Sequence, residues 1–191
     1  CISGYVLFYI MIAFSQIYAK SAPIISEAGY VMGLGFSPQI FTALLMFSSV
    51  SLAITITISG KYIDKVGRRI WLIWTTVGVA LFGLALPYFL KNGTTVSLFW
   101  FLITGMGLIG MGYGPLASFL PELFPTHARY SGASLTYNIA GLFGASVAAI
   151  IALPLNANYG LKGVGIYLTL NAVLSLIGLW FITETRDRQL L

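Results

Sequence analysis

The sequence predicts an all-α membrane protein of six spanning helices. Three observations lead there: the apolar content, the length of the apolar runs, and the segregation of charge between them. Hydrophobic residues fill 58% of the 191 positions and charged residues only 8%, with a mean hydropathy of +0.91. A soluble domain carries about 25% charged residues, so this chain lacks the polar groups to cover itself in water. A lipid bilayer is therefore the first partner that composition implies.

Apolar runs long enough to cross ~30 Å of hydrocarbon recur six times, over 2–19, 38–59, 70–90, 98–120, 132–153 and 164–182. The breaks between them, and the tail 183–191, hold the turn formers and nearly all the charge. In the first helix, Tyr5, Tyr9 and Gln16 recur at helical spacing, which sets them on one stripe. The second carries Thr42 and Ser49 on a stripe, and the third is bounded by charged links at both ends. The fourth presents Trp100, Thr104 and Tyr113 and is crowded by Gly105, Gly107, Gly110, Gly112 and Gly114. The fifth sets Ser134, Tyr137, Asn138 and Gly141 on one side, and the sixth precedes the charged tail. Small residues in lipid let helix backbones approach closely. Packing is the first explanation of these glycines, and a bending or sliding helix is the second.

Orientation follows from basic residues in alternate breaks, since cytoplasmic loops carry the excess of Lys and Arg. One set holds Lys61, Lys65, Arg68, Arg69, Arg129, Arg186 and Arg188; the other holds Lys20, Lys91 and Lys162. The richer side is expected to be cytoplasmic, which puts the C-terminus inside. The net charge of +5 forms no basic stripe, so no nucleic-acid partner is expected.

Several motifs carry no chemistry here. Gly105-Met-Gly107-Leu-Ile-Gly110 matches a dinucleotide fingerprint, but that motif works only between a strand and a helix. Cys1 is the single cysteine and His127 the single histidine, so the chain holds no disulfide framework, metal set or Ser-His-Asp triad. No cofactor and no metal are expected, and no enzyme. Asn92-Gly-Thr94 satisfies a glycosylation sequon, a triplet frequent by chance.

The informative motifs sit on the cytoplasmic side. Gly60-Lys-Tyr-Ile-Asp64-Lys-Val-Gly67-Arg68-Arg69 links the second and third helices. Its glycines allow a sharp turn, Asp64 suits a helix N-terminus, and the arginines suit forked pairing with a carboxylate. A second motif runs Gly114-Pro-Leu-Ala-Ser-Phe-Leu-Pro121-Glu122-Leu-Phe-Pro125-Thr-His-Ala-Arg129-Tyr-Ser-Gly132-Ala-Ser, and the third is Thr183-Glu184-Thr185-Arg186-Asp-Arg188. Together they gather Glu122, Glu184, Arg68, Arg69 and Arg129 on one face.

In this order the motifs resemble those of the major facilitator superfamily, and in particular the C-terminal half of its metabolite:proton symporters for proline and betaine, α-ketoglutarate and shikimate. Sugar porters share the Pro-Glu-x-Phe-Pro-Thr core and the Glu-Thr tail and are the nearest competitor. The resemblance implies the C-terminal six-helix bundle of a twelve-helix major facilitator fold, with the N-terminal half absent from this chain. It implies a plasma (inner) membrane carrier that moves a small organic acid or zwitterion with protons by alternating access. It also implies a cytoplasmic gate of Gly60, Asp64, Gly67, Arg68, Arg69, Glu122, Arg129, Glu184 and Arg186, in which Glu122 and Glu184 pair with the arginines. The break 20–35 is longer than the family pattern, and its Pro23 and Glu27 have no counterpart there. His127 stands where an arginine is common.

Substrates of such folds bind near the midplane between halves, which makes Tyr9, Gln16, Ser49, Tyr113, Tyr137 and Asn138 candidate contacts. The competing explanation is hydrogen bonding between helices, worth ~0.6 kcal/mol per contact in lipid. No Asp, Glu, Lys or Arg lies mid-span, so a proton-carrying carboxylate would belong to the missing half. A non-transporting structural membrane protein is the rival from another class.

Overall fold

The computed structural model describes residues 1–182, with every side chain among them except that of Asp64. Glu184 and Arg186 therefore lie outside the described residues. The chain folds into a helical bundle whose members we label α1 (Ile2–Lys20), α2 (Pro38–Val66), α3 (Arg68–Lys91) and α4 (Thr95–Glu122). A short 3-10 turn, Thr126–Ala128, follows α4. From there helix continues to Phe181 with one break, at Gly160, where φ is 66° and ψ −168°. That backbone conformation is essentially glycine's alone. Gly160 thus divides α5 (129–159) from α6 (161–181).

The helices reach beyond the apolar runs, most visibly in α2, which continues through Lys61 and Lys65 to Val66. Lysines at a helix end cover apolar surface with their stems while the ammonium stays in water. The break expected over 156–163 is instead helix on either side of one turning residue. In lipid every backbone group needs an internal partner, and helix up to the turn supplies the most partners. The α2–α3 turn is equally short: Gly67, at φ 99°, ends one helix and caps the next. Gly60, by contrast, lies inside α2 rather than at its end.

Ser37 and Thr94 cap α2 and α4 by accepting from the Ile40 and Ser97 backbone N–H groups. Prolines interrupt the ladders at Pro87, Pro115, Pro121 and Pro154. Each removes an N–H that would bond four residues back. At Pro115 the loss is made good from outside the helix. Trp71 Nε1 donates to the freed carbonyl of Met111 at 3.0 Å.

Packing follows small residues. Gly110 and Gly114 of α4 meet Thr55, Ile56 and Ser59 of α2, and these two helices run parallel. Gly83 of α3 touches Gly165 of α6 backbone to backbone, and the Thr169 hydroxyl donates to Ala80 O at 3.1 Å, in an antiparallel pair. α1 is central: Val6, Leu7, Ile10, Met11 and Phe14 are fully buried. α1 and α5 each contain a single π turn, Ile10–Phe14 and Leu142–Ser146.

Alternation brings the starts of α1, α3 and α5 and the ends of α2, α4 and α6 to one end of the bundle. At the opposite end the segment 21–37 folds back as a strap. Leu34 and Phe36 N–H groups bond to the Tyr18 and Ala19 carbonyls closing α1. The Ser26 hydroxyl donates to Ala157 O at 2.8 Å, and the Tyr30 ring packs on Gly160. Pro23 and Glu27 both lie in this strap.

Candidate functional site

At the end shared by the α2–α3 turn and the close of α4, Arg68 forms an ion pair with Glu122. Their side chains are only 17% and 15% exposed, so water screens the pair weakly. The one-residue turn at Gly67 puts Arg68 at the first position of α3, and Pro121-Glu122 closes α4. Arg69, the next residue, turns a different way. Its Nε and Nη2 donate to Leu179 O and Trp180 O at 3.0 and 2.9 Å. These are among the last carbonyls of α6, which lack partners within the helix, and a cation there also meets the negative end of the helix dipole. Arg129 begins α5, with its Nε buried and without a hydrogen-bond partner among the described residues. His127 is exposed in the 3-10 turn.

One to two helical turns inward from the ion pair, starting at Leu72 and Leu116, a cavity of about 80 Å³ opens between α1, α3, α4, α5 and α6. Tyr5, Tyr113 and Tyr137 line it, as do Thr75, Thr76 and Ser175. Leu72, Val79, Leu108 and Ile109 supply apolar wall, and no charged side chain lines it among the described residues. Ligand pockets usually enclose ~300–1,000 Å³, so this cavity is one wall of a site rather than a closed site. Leu179 links the two regions: its side chain faces the cavity and its carbonyl accepts from Arg69.

Of the candidate substrate contacts read from sequence, Tyr113 and Tyr137 share this cavity, together with Tyr5 of the first-helix stripe. Tyr9, Gln16, Ser49 and Asn138 do not line it. Tyr9 is half-buried, its hydroxyl 3.5 Å from Ala149 O. Asn138 donates to Ser134 O at 2.8 Å and the Ser49 hydroxyl to Met46 O at 2.6 Å, both within their own helices. Gln16, Ser49 and Asn138 are exposed, as are Thr42, Thr57 and Ser134. On α2, the exposed Thr42, Ser49, Thr57 and Gly60 are interleaved with exposed Met46, Val50, Ala53 and Ile56, and the three hydroxyls bond carbonyls of their own helix. Sequence reading passed over Thr75, Thr76 and Ser175. The available signal was a Thr-Thr pair in an otherwise apolar third run.

A lipid-length helical bundle with an ion-paired turn at one end and an open, uncharged cavity above it is the half-fold of a major facilitator. The chain matches the family model "Sugar (and other) transporter" over residues 6–191, and it belongs to that family of the major facilitator superfamily. It is a multi-pass membrane protein. It is 88% identical, over 190 residues and the whole chain, to a Haemophilus influenzae protein named "Putative metabolite transport protein". It is 39% identical, over 99% of its length, to the inner membrane metabolite transport protein YhjE of Escherichia coli. Over 70% of its length it is 33% identical to the proline/betaine transporter of Salmonella typhimurium. These relatives are transport proteins, not enzymes. The chain spans 42% of the length of the first two and 27% of the third is aligned. No solved structure matches.

Proposed function

We propose that this chain is the C-terminal half of a twelve-helix secondary transporter that carries a small organic acid or zwitterionic metabolite with protons by alternating access. The observation that carries this reading is the Arg68–Glu122 ion pair, weakly screened and set one to two helical turns from a cavity that is open on one side. An ion pair that forms and breaks at one end of a bundle is a bistable element of the kind switching needs. Glu122, Arg68 and Arg129, with Asp64, Glu184 and Arg186, act as the gate on the cytoplasmic side, where the C-terminus lies. Arg69 holds the end of α6.

The rest of the site comes from the preceding half. Ser49, Ser134 and Asn138, exposed on α2 and α5, suit a facing protein wall or a water-filled path. Tyr9 and Gln16 extend that path along α1. The proton-accepting carboxylate also belongs to the preceding half, because the spans of this chain hold no acid at mid-depth. The names of the relatives, metabolite and proline/betaine transporters, support a small polar solute.

A sugar-carrying variant of the same machine is the second reading, favoured by the family model's description. Both are tested by uptake of radiolabelled organic acids, proline, betaine and glucose into proteoliposomes holding the full-length carrier, with and without a protonophore. Acid or zwitterion uptake that collapses with the proton gradient is the expected result. Glucose uptake alone supports the second reading, and gradient-independent uptake contradicts proton coupling.

A further inference from the structure

Tyr5 of α1, Tyr113 of α4 and Tyr137 of α5 come from three helices and line one cavity, with Tyr5 a neighbour of the other two. Their hydroxyl groups make no hydrogen bond to any described residue. The other hydroxyls of that wall are differently placed. Thr75 and Thr76 donate to the Trp71 and Leu72 carbonyls at 2.9 and 2.7 Å, and Ser175 Oγ accepts from the Ser3 N–H at 3.3 Å. The phenols are thus donors with uncommitted protons in a pocket whose remaining wall is largely leucine, isoleucine and valine.

We infer that the three phenol hydroxyls form the subsite that takes the carboxylate of the transported solute, an inference that rests on the transport reading above. A phenol donating to a carboxylate makes a short, charge-assisted bond, stronger than one between neutral groups, and the apolar surroundings strengthen it further. The arrangement carries no fixed charge. It binds an anionic end without the desolvation cost of a buried arginine, and it lets go when water re-enters, as a carrier requires. The ligand class is a compact aliphatic carboxylate, such as an amino acid, imino acid or betaine, with the hydrocarbon body against Leu72, Val79 and Leu108.

The test is uptake by the full-length carrier in proteoliposomes, wild type beside Tyr5→Phe, Tyr113→Phe and Tyr137→Phe. The probes are L-proline, glycine betaine, 2-oxoglutarate and glucose, with L-prolinamide as competitor. Phenylalanine keeps the ring volume, and monodisperse elution in detergent checks that each variant folds. The expected result is a rise in KM for the transported acid of about tenfold or more per hydroxyl removed, while prolinamide competes poorly with wild type and no worse with the variants. Acid uptake with unchanged KM in all three variants overturns the subsite and leaves the transport reading standing. Unchanged KM in Phe variants with loss in Tyr113→Leu and Tyr137→Leu also overturns it, assigning the rings to a cationic group instead. Uptake of glucose alone, or of no probe, overturns the subsite together with the acid-transport reading.

Discussion

Trp71 and Pro115 show how single residues sustain a bent spanning helix. Pro115 frees the Met111 carbonyl, and the Trp71 indole supplies the missing donor. An unpaired buried carbonyl costs about 1–3 kcal/mol. Trp71→Phe is therefore expected to lower the thermal unfolding midpoint in detergent. Pro115→Ala introduces the backbone donor that proline lacks, so it is expected to stabilise the Trp71→Phe background by about 1 kcal/mol more than the wild type. Equal gains in both backgrounds would deny the pairing. At this scale the sequence revealed types but not partners. The family resemblance implied that Glu122 would meet one of Arg68, Arg69 and Arg129 without saying which, and Arg68 is the one that pairs with it. Arg69 also donates to the backbone carbonyls of Leu179 and Trp180, over a hundred residues away, and a carbonyl leaves no mark in sequence. Thr75 and Thr76 escaped notice for a similar reason: two hydroxyls that bond their own helix look like any others in an apolar run.

Among the elements, the spans were legible because hydrocarbon thickness imposes a length that few other environments do. Their ends were less so. Apolar content stops where lipid stops, but helix continues wherever hydrogen bonding is still favoured, which carries α2 to Val66 and α5 to Tyr159. The α5–α6 turn depends on one residue. A side chain at Gly160 would face both an unfavourable φ of 66° and the Tyr30 ring of the strap. Gly160→Ala is expected to destabilise by roughly 1–3 kcal/mol, read as a lowered thermal midpoint. Gly178→Ala, within helix α6 where a methyl group meets open space, is expected to leave it unchanged or raise it, by up to ~1 kcal/mol of helix preference. Equal behaviour of the two variants would mean that the turn tolerates a side chain. The π turns of α1 and α5 had no sequence signal at all, since Ile10–Phe14 and Leu142–Ser146 are ordinary helix formers and small residues.

For the whole molecule, the chain is a bundle with two kinds of outer surface. Helix α6 presents an apolar stripe of Ile166, Leu170, Val173, Leu174 and Ile177, all exposed, as lipid demands. α2 and α5 add exposed Thr42, Ser49, Ser134 and Asn138 to exposed apolar residues such as Phe47, Val50, Ile139 and Leu142. A cavity too small to hold most metabolites and opening at one side fits a chain that spans 42% of the length of its relatives. The family order of motifs made this half-carrier legible from sequence. The meeting of Tyr5, Tyr113 and Tyr137 was only partly so, because residues from three helices converge through packing that no local pattern encodes.

The central claim is that the Arg68–Glu122 pair works as a gate rather than as a passive staple. The most direct measurement is initial uptake rate in proteoliposomes holding the full-length carrier, comparing wild type, Arg68→Glu, Glu122→Arg and the charge-swapped double variant. Each single variant puts like charges together in a weakly screened site and is expected to lower the rate by about tenfold or more, since 1.4 kcal/mol is a factor of ten. The swap is expected to recover a substantial part of that loss. Single variants that transport at the wild-type rate, while folding normally, would contradict the gate.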